Sequence, residues 1–333
     1  MKTSDKIFVA GHRGLVGSAL VRRLRTLGFE NLLLRPRRAL DLTDAAAVKA
    51  LFEAERPSHV FFAAAKVGGI MANKTHPADF IRENLMVQLS VIDAAFATHV
   101  QKMLFLGSSC VYPRFAEQPI REEALLTGEL EPTNAAYAVA KIAGIVTCQS
   151  FNRQYGTRYI SAMPTNLYGE NDNFDRTDSH VLPAMIRRFH DAKAAGDSCV
   201  VVWGSGTPRR EFLHVDDLAD ASVHLMQVWA EAGTDGLVVG GDDAVNQIVN
   251  VGYGDDISIR QLAELVMEIV GYEGVVQWDA SKPDGTPRKL LDSSRLRAAG
   301  WTPTIALRDG IARTYAWFLA HHDHVRLGES DAP

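Results

Sequence analysis

The chain has 333 residues, 47% hydrophobic and 23% charged, enough apolar material for one large domain or two smaller ones. A formal charge of −5 excludes the broad basic surface that nucleic acid or an anionic membrane needs. Met1 to Asp5 is short and polar, no uncharged run reaches transmembrane length, and Cys110, Cys148 and Cys199 stand far apart without metal-ligand or redox-pair spacing. A cytoplasmic protein with reduced thiols and no metal is expected.

Lys6 to Ala10 is a short apolar run that breaks at Gly11 and is followed by Leu15, Val16, Leu20, Leu24 and Leu27 at helical spacing. Strand, glycine turn and helix bring Gly11, Gly14 and Gly17 against a pyrophosphate, with the helix N–H groups and positive dipole end aimed at it. The next strand, Leu32-Leu33-Leu34, leads to Arg35, Pro36, Arg37 and Arg38. An acidic residue there would hold a free ribose 2′-hydroxyl, whereas guanidinium groups suit a 2′-phosphate, so the expected cofactor is NADP(H), with Arg13 adding to the same site. Val60 to Ala65 reads as another buried strand, running through Ala64 to Lys66-Val67-Gly68-Gly69, whose small residues leave room for ribose and nicotinamide. Long apolar stripes mark helices over 78–99 and 134–155; a stripe suits the core or a partner equally, and periodicity does not separate the two.

Between those stripes lies the segment around which the chain is organised. Met103 to Leu106 feed Gly107-Ser108-Ser109-Cys110-Val111-Tyr112-Pro113, placing the serines and the cysteine at the carboxyl end of a parallel strand, where ligands bind. Tyr137 and Lys141, four residues apart in the second helix, share one face. A tyrosine normally loses its proton at about pH 10, and a neighbouring cation lowers that value, so Lys141 is expected to favour phenolate. With Ser108 hydrogen-bonding the reacting oxygen, the three residues form a site for interconverting a carbonyl and an alcohol. Cys110, two residues after Ser108, faces the same substrate.

Ile160 to Met163 then leads into Pro164-Thr165-Asn166-Leu167-Tyr168-Gly169. Asp178-Ser179-His180 opens a helix, with Ser179 as N-cap, Pro183 in the first turn, and Arg187 and Arg188 offering charge to a nucleotide diphosphate. Val200 to Asp217 reads as strand, turn, strand; Trp203 there suits stacking on a flat base or core packing, and Arg210 suits a phosphate. Ser258 and Gln261 form a capping box before a helix to about Val270. Residues 240–246 read as a loop insertion.

The motifs GHRGLVG, GSSCVYP, EPTNAAYAVAK, PTNLYG, DNF, SHVLPA and GTPRREFLHVDD, spread over roughly residues 6 to 320, together resemble the extended short-chain dehydrogenase/reductase family. The resemblance implies an α/β fold, a doubly wound parallel (Rossmann) sheet with a smaller α/β substrate-binding portion. Residues 1–165 would form the NADP-binding domain, completed by segments near 205–230 and 245–255; residues 166–327 would mostly bind substrate, and 328–333 would be a flexible tail. It further implies cofactor contacts at Leu15, Val16, Asp41, Leu42, Leu106, Gly107, Tyr137, Lys141, Pro164, Asn166, Leu167 and His180. Substrate contacts would fall on Ser108, Ser109, Cys110, Asn166, Arg188, Trp203, Arg210 and Asp284.

Within the family, the motifs resemble those of members that epimerise GDP-4-keto-6-deoxy-D-mannose at C3 and C5 and then reduce C4 with NADPH, giving GDP-L-fucose. That implies Cys110 as base, His180 as acid, and Ser108, Tyr137 and Lys141 at the C4 oxygen. Sugar-nucleotide dehydratases of the family carry an Asp-Glu pair where Ser109-Cys110 stands, and NAD-holding 4-epimerases prefer an acid where Arg35 and Arg37 stand. Another GDP-4-keto-6-deoxyhexose reductase remains open; a non-catalytic NADP sensor would lack the Tyr or Lys present here. The family also implies a homodimer through helices 78–99 and 134–155. Glu170-Asn171 departs from the expected Pro-His.

Overall fold

The structure is a computed structural model that describes residues 1–175, 179–228, 247–281 and 284–322, so the 240–246 insertion and the tail after Leu327 lie outside the described residues. The first half runs β1 (Ile7–Ala10), α1 (Leu15–Thr26), β2 (Leu32–Leu33), α2 (Ala45–Glu55), β3 (His59–Phe62), α3 (Ile70–Thr75), α4 (Pro77–Ala97), β4 (Lys102–Leu106), α5 (Ala135–Tyr155) and β5 (Tyr159–Pro164). Then follow β6 (Asn166–Tyr168), α6 (Val181–Ala195), β7 (Cys199–Trp203), β8 (Arg209–Arg210), β9 (Phe212–His214), α7 (Val215–Val228) and β10 (Ile248–Val251). The chain closes with β11 (Ile257–Ser258), α8 (Ile259–Val270), β12 (Val275–Asp279), β13 (Arg288–Lys289), α9 (Ser294–Ala298) and α10 (Leu307–His321).

Six of these strands pair in parallel, in the order β10-β5-β4-β3-β1-β2. A parallel sheet must be covered on both faces, which is why its strands read as unbroken apolar runs. Successive side chains alternate between the faces. Ile7, Val9 and Leu104 pack with Leu20 and Leu24 of α1 and Leu218 and Met226 of α7. Phe8, Val60 and Phe105 pack with Phe52 of α2, Ile92 of α4 and Ile145 of α5. This is a doubly wound α/β sheet. From β1 the chain steps outward to β2 and then returns to β3 on the other side of β1, so the crevice of the strand-order reversal opens between the carboxyl ends of β1 and β3.

The smaller portion gathers α6, α8 and α10 around Ile186, Phe189, Leu262, Val266 and Phe318. Its strands form β7 with β12, β8 between β11 and β13, and β6 with β9. The capping box of α8 is complete: the Gln261 N–H donates to Ser258 Oγ, and the Ser258 N–H donates to Gln261 Oε1, both at 3.2 Å.

Two local expectations change. The N-cap of α6 is His180 instead of Ser179, because the Ser179 hydroxyl turns back to donate to the Asp175 carbonyl at 2.5 Å. The stretch from Val200 to Asp217, read as strand, turn, strand, holds three strands. Left-handed backbone at Gly204 and Gly206, φ 87° and 80°, redirects the chain so that β7, β8 and β9 each join a different sheet.

Candidate active site

At the switch point, Gly11 adopts φ 81°, and a Cβ there would meet the Ala64 backbone at 2.9 Å. A Cβ on Gly17 would lie 2.0 Å from the Gly11 carbonyl oxygen. Only glycine lets the turn close this tightly against both β3 and its own helix. Gly14 is the N-cap of α1 and provides no side-chain cap, leaving the N–H groups of the first turn, from Leu15 to Gly17, facing an anion site. The turn therefore fits the diphosphate of a dinucleotide.

Beyond β2, Arg35 is already engaged: its Nη2 lies 2.7 Å from Glu55 Oε1 and its Nη1 donates to the Leu34 carbonyl at 3.2 Å. Arg13, Arg37 and Arg38 form no ion pair among the described residues, so the positive charge open to a 2′-phosphate falls mainly on them. Asp41 accepts from the Thr43 N–H at 2.9 Å and the Thr43 hydroxyl at 2.8 Å, and these bonds hold its carboxyl below the usual range. Leu42 packs beside the core under α4.

At the end of β4 the chain turns sharply, and the Ser108 hydroxyl oxygen accepts from the Cys110 N–H at 3.2 Å. A Cβ on Gly107 would lie 2.4 Å from Met163 Sδ, so a larger residue would push that side chain aside. Tyr137, in the first turn of α5, meets the Phe80 ring edge-on at 6.4 Å. Burial pushes its phenol up, reinforced by a Cys110 thiolate and offset by a hydrogen bond with Ser108. Lys141 is 2% exposed and donates from Nζ to the Leu106 carbonyl at 2.8 Å. Desolvation lowers its pKa to about 7. Its Nζ is 5.9 Å from the centre of the Tyr137 ring, and the phenol rises instead of falling: burial outweighs the distant cation. The pair therefore rests as a protonated phenol beside an ammonium that titrates near neutrality.

Cys110 is a half-buried free thiol. Two groups that sequence patterns did not single out reach it: Asn134 Nδ2 at 3.3 Å and Lys289 Nζ at 3.9 Å. Lys289 stands beside Arg210, which feels the Cys110 charge; the two are neighbours because β13 runs parallel to β8 with Lys289 opposite Arg210. Asn134 was legible only as part of the EPTN turn.

A third missed residue is Glu211, which is fully buried. Its carboxylate accepts from the Gly254 N–H at 2.7 Å and the Leu291 N–H at 3.1 Å, while its carbonyl accepts from Asn166 Nδ2 at 2.8 Å. One residue thus clamps the chain around Asn166, Arg210 and Lys289. Burial raises its pKa, and those N–H donors pull it back.

His180 stands at the start of α6 with solvent-accessible surface, yet enough protein surrounds its imidazole for desolvation to lower its pKa, and among the described residues no hydrogen bond joins it to Cys110. Trp203 is 50% exposed, with the Arg188 guanidinium 5.6 Å from its ring, so an aromatic surface and a cation stand together there. Ser109 is buried. Asp284 is occupied, accepting from the Ser205 N–H at 3.0 Å and the Ser205 hydroxyl at 2.7 Å, so it braces the turn after β7. Glu170, the departure from Pro-His, lies 3.5 Å from Arg22 of α1 and 3.6 Å from the buried His214; Arg22 also pairs with Asp216 at 2.6 Å. The acid ties the Pro164–Gly169 segment to the cofactor helix.

A glycine turn at the switch point of a doubly wound sheet, with Ser, Tyr and Lys at the end of its central strands, defines a dinucleotide-dependent epimerase or dehydrogenase. The chain belongs to the NAD dependent epimerase/dehydratase family, whose model matches residues 7–252. It is 59% identical over 316 residues to GDP-L-fucose synthase 1 of Arabidopsis thaliana, covering 95% of this chain and 94% of that one. It is 54% identical over 328 residues to GDP-L-fucose synthase of Escherichia coli K12, covering 97% and 99%. A GDP-L-fucose synthetase from Naegleria fowleri bound to NADP superposes with a TM-score of 0.85 at 27% identity, covering 98% of this chain and 97% of that one.

Proposed function

We propose that this chain epimerises GDP-4-keto-6-deoxy-D-mannose at C3 and C5 and reduces C4 with NADPH, giving GDP-L-fucose. The observation that carries the reading is a thiol, Cys110, with two donors on its sulfur, beside a Ser108, Tyr137 and Lys141 cluster. Relatives named GDP-L-fucose synthase at 54% to 59% identity over nearly the whole chain support it. The glycine turn, Arg13, Arg37 and Arg38 hold NADPH, which when bound supplies the hydride that reduces C4.

The C4 carbonyl acidifies the protons on both neighbouring carbons. Cys110 removes a proton from one face, and the electron pair moves onto the C4 oxygen as an enolate. His180, its imidazole accessible at the start of α6, returns a proton to the opposite face and so inverts the carbon. Ser108 and the Tyr137 hydroxyl hydrogen-bond the enolate oxygen. In the reductive step, Tyr137 gives its proton to the alkoxide forming at C4. Burial keeps that proton on the phenol until the substrate oxygen becomes basic enough to take it. Lys141, titrating near neutrality, offsets the phenolate left behind. Arg188 and Trp203 suit the guanine end, and Arg210 suits the diphosphate.

A second copy covers the outer faces of α4 and α5, where Met86, Leu89, Val139 and Val146 are exposed. No helix among the described residues is long and apolar enough to cross a membrane; a cytoplasmic location is part of this proposal. The deciding assay incubates the protein with NADPH and GDP-4-keto-6-deoxy-D-mannose, follows NADPH absorbance, and determines product stereochemistry. NADPH consumption with inversion at both carbons is expected; bound NADPH without turnover would make the chain a sensor.

A further inference from the structure

Asn134 closes the turn Pro132–Asn134 and stands at the N-cap of α5. Asparagine is favoured there because its side-chain oxygen accepts an N–H of the first helical turn. In this protein no such bond forms. The amide turns the other way, with Nδ2 donating to Cys110 Sγ at 3.3 Å, and its Oδ1 is buried without a partner. A forgone cap and an orphaned carbonyl both destabilise the fold. Local preferences are given up in this way where function constrains a residue.

We propose that Asn134 is the positioning residue of Cys110, holding the sulfur in place and stabilising it as a thiolate. The proposal rests on the reading of Cys110 as the epimerisation base. In that step a substrate C–H bond breaks, an S–H bond forms, and the electron pair passes to the C4 oxygen, so the sulfur changes from anion to neutral. As an anion it needs donors. Asn134 Nδ2 supplies one and Lys289 Nζ, at 3.9 Å, a second, while the uncapped start of α5 adds its positive dipole end. As a thiol it needs an acceptor. The unpartnered Oδ1 of the same amide is that acceptor after a half-turn about the Cβ–Cγ bond. One side chain serves both protonation states, which neither a lysine nor a carboxylate can do.

The experiment measures iodoacetamide alkylation of Cys110 against pH, read by peptide mass spectrometry on wild type, Asn134→Ala and Asn134→Asp. Loss of one hydrogen bond to the thiolate shifts the Asn134→Ala profile upward by about one to two pH units. Asn134→Asp keeps the size, restores a capping oxygen and places an anion beside the sulfur, so it shifts the profile further upward while protecting the fold. Solvent deuterium entry at C3 and C5 falls about tenfold or more at neutral pH in both variants and recovers as pH rises. Folded variants whose alkylation profiles match wild type would overturn the proposal. Deuterium exchange surviving in Cys110→Ala would instead remove Cys110 as the base. The alkylation result does not depend on catalysis, so the two failures are told apart.

Discussion

Lys141 offers the sharpest test, because its site asks it to carry charge where burial opposes charge. Desolvation takes its pKa from 10.5 to about 7. At about 1.4 kcal/mol per pH unit, an ammonium held in both states destabilises the apo fold by about 5 kcal/mol relative to a neutral side chain. The sign follows from proton counts. Between the folded value of about 7 and the unfolded value of 10.5, the unfolded chain binds the extra proton, so stability rises with pH across that window. It is fully present above the unfolded value and lost as pH falls to the folded one. Lys141→Met removes the charge and fills similar space, but leaves the Leu106 carbonyl without its donor, a loss of about 1 kcal/mol. Urea unfolding of the cofactor-free protein should therefore find the variant about 3 to 4 kcal/mol more stable at neutral pH. The advantage should vanish, and slightly reverse, in alkali. The same variant should lose C4 reduction. A stability difference that does not change with pH would refute the reasoning.

Tyr137→Phe keeps the ring against Phe80 and removes the proton donor; C4 reduction should fall ~10² to 10⁴-fold with NADPH binding intact, measured by single-turnover absorbance. Arg37→Ala should weaken NADPH by about 1.5 to 3 kcal/mol and leave NADH unchanged, whereas Arg35→Ala, already paired with Glu55, should do less; calorimetric titration with both cofactors checks this. Cys110→Ala should stop deuterium entry at C3 and C5, while His180→Asn should retain some exchange and lose correct inversion, both read by nuclear magnetic resonance of the product. Glu211→Ala leaves the N–H groups of Gly254 and Leu291 unpaired, and urea unfolding should register a loss of about 2 to 6 kcal/mol.

The sequence by itself determined what depends on near neighbours along the chain. Gly11 and Gly17 set a turn no other residue tolerates, short unbroken apolar runs made parallel strands buried on both faces, and the four-residue step from Tyr137 to Lys141 put both on one face of α5. Ser258 and Gln261 announced a capping box because both partners lie within one turn. Tertiary structure decided what depends on residues brought together from far apart. Lys289 reaches Cys110 across 179 positions, because β13 lies parallel to β8 at the site. Glu211 bonds Leu291 across 80 positions, and Asp284 is claimed by Ser205 across 79. Arg35 is claimed by Glu55 of α2, which a count of arginines does not reveal. Even Asn134, a favoured capping residue by type, uses its amide on a sulfur instead. Periodicity encodes which face of an element is buried; which polar groups then meet is set by strand order and by the low dielectric of the closed site. The same burial holds the Tyr137 proton in place and loosens that of Lys141.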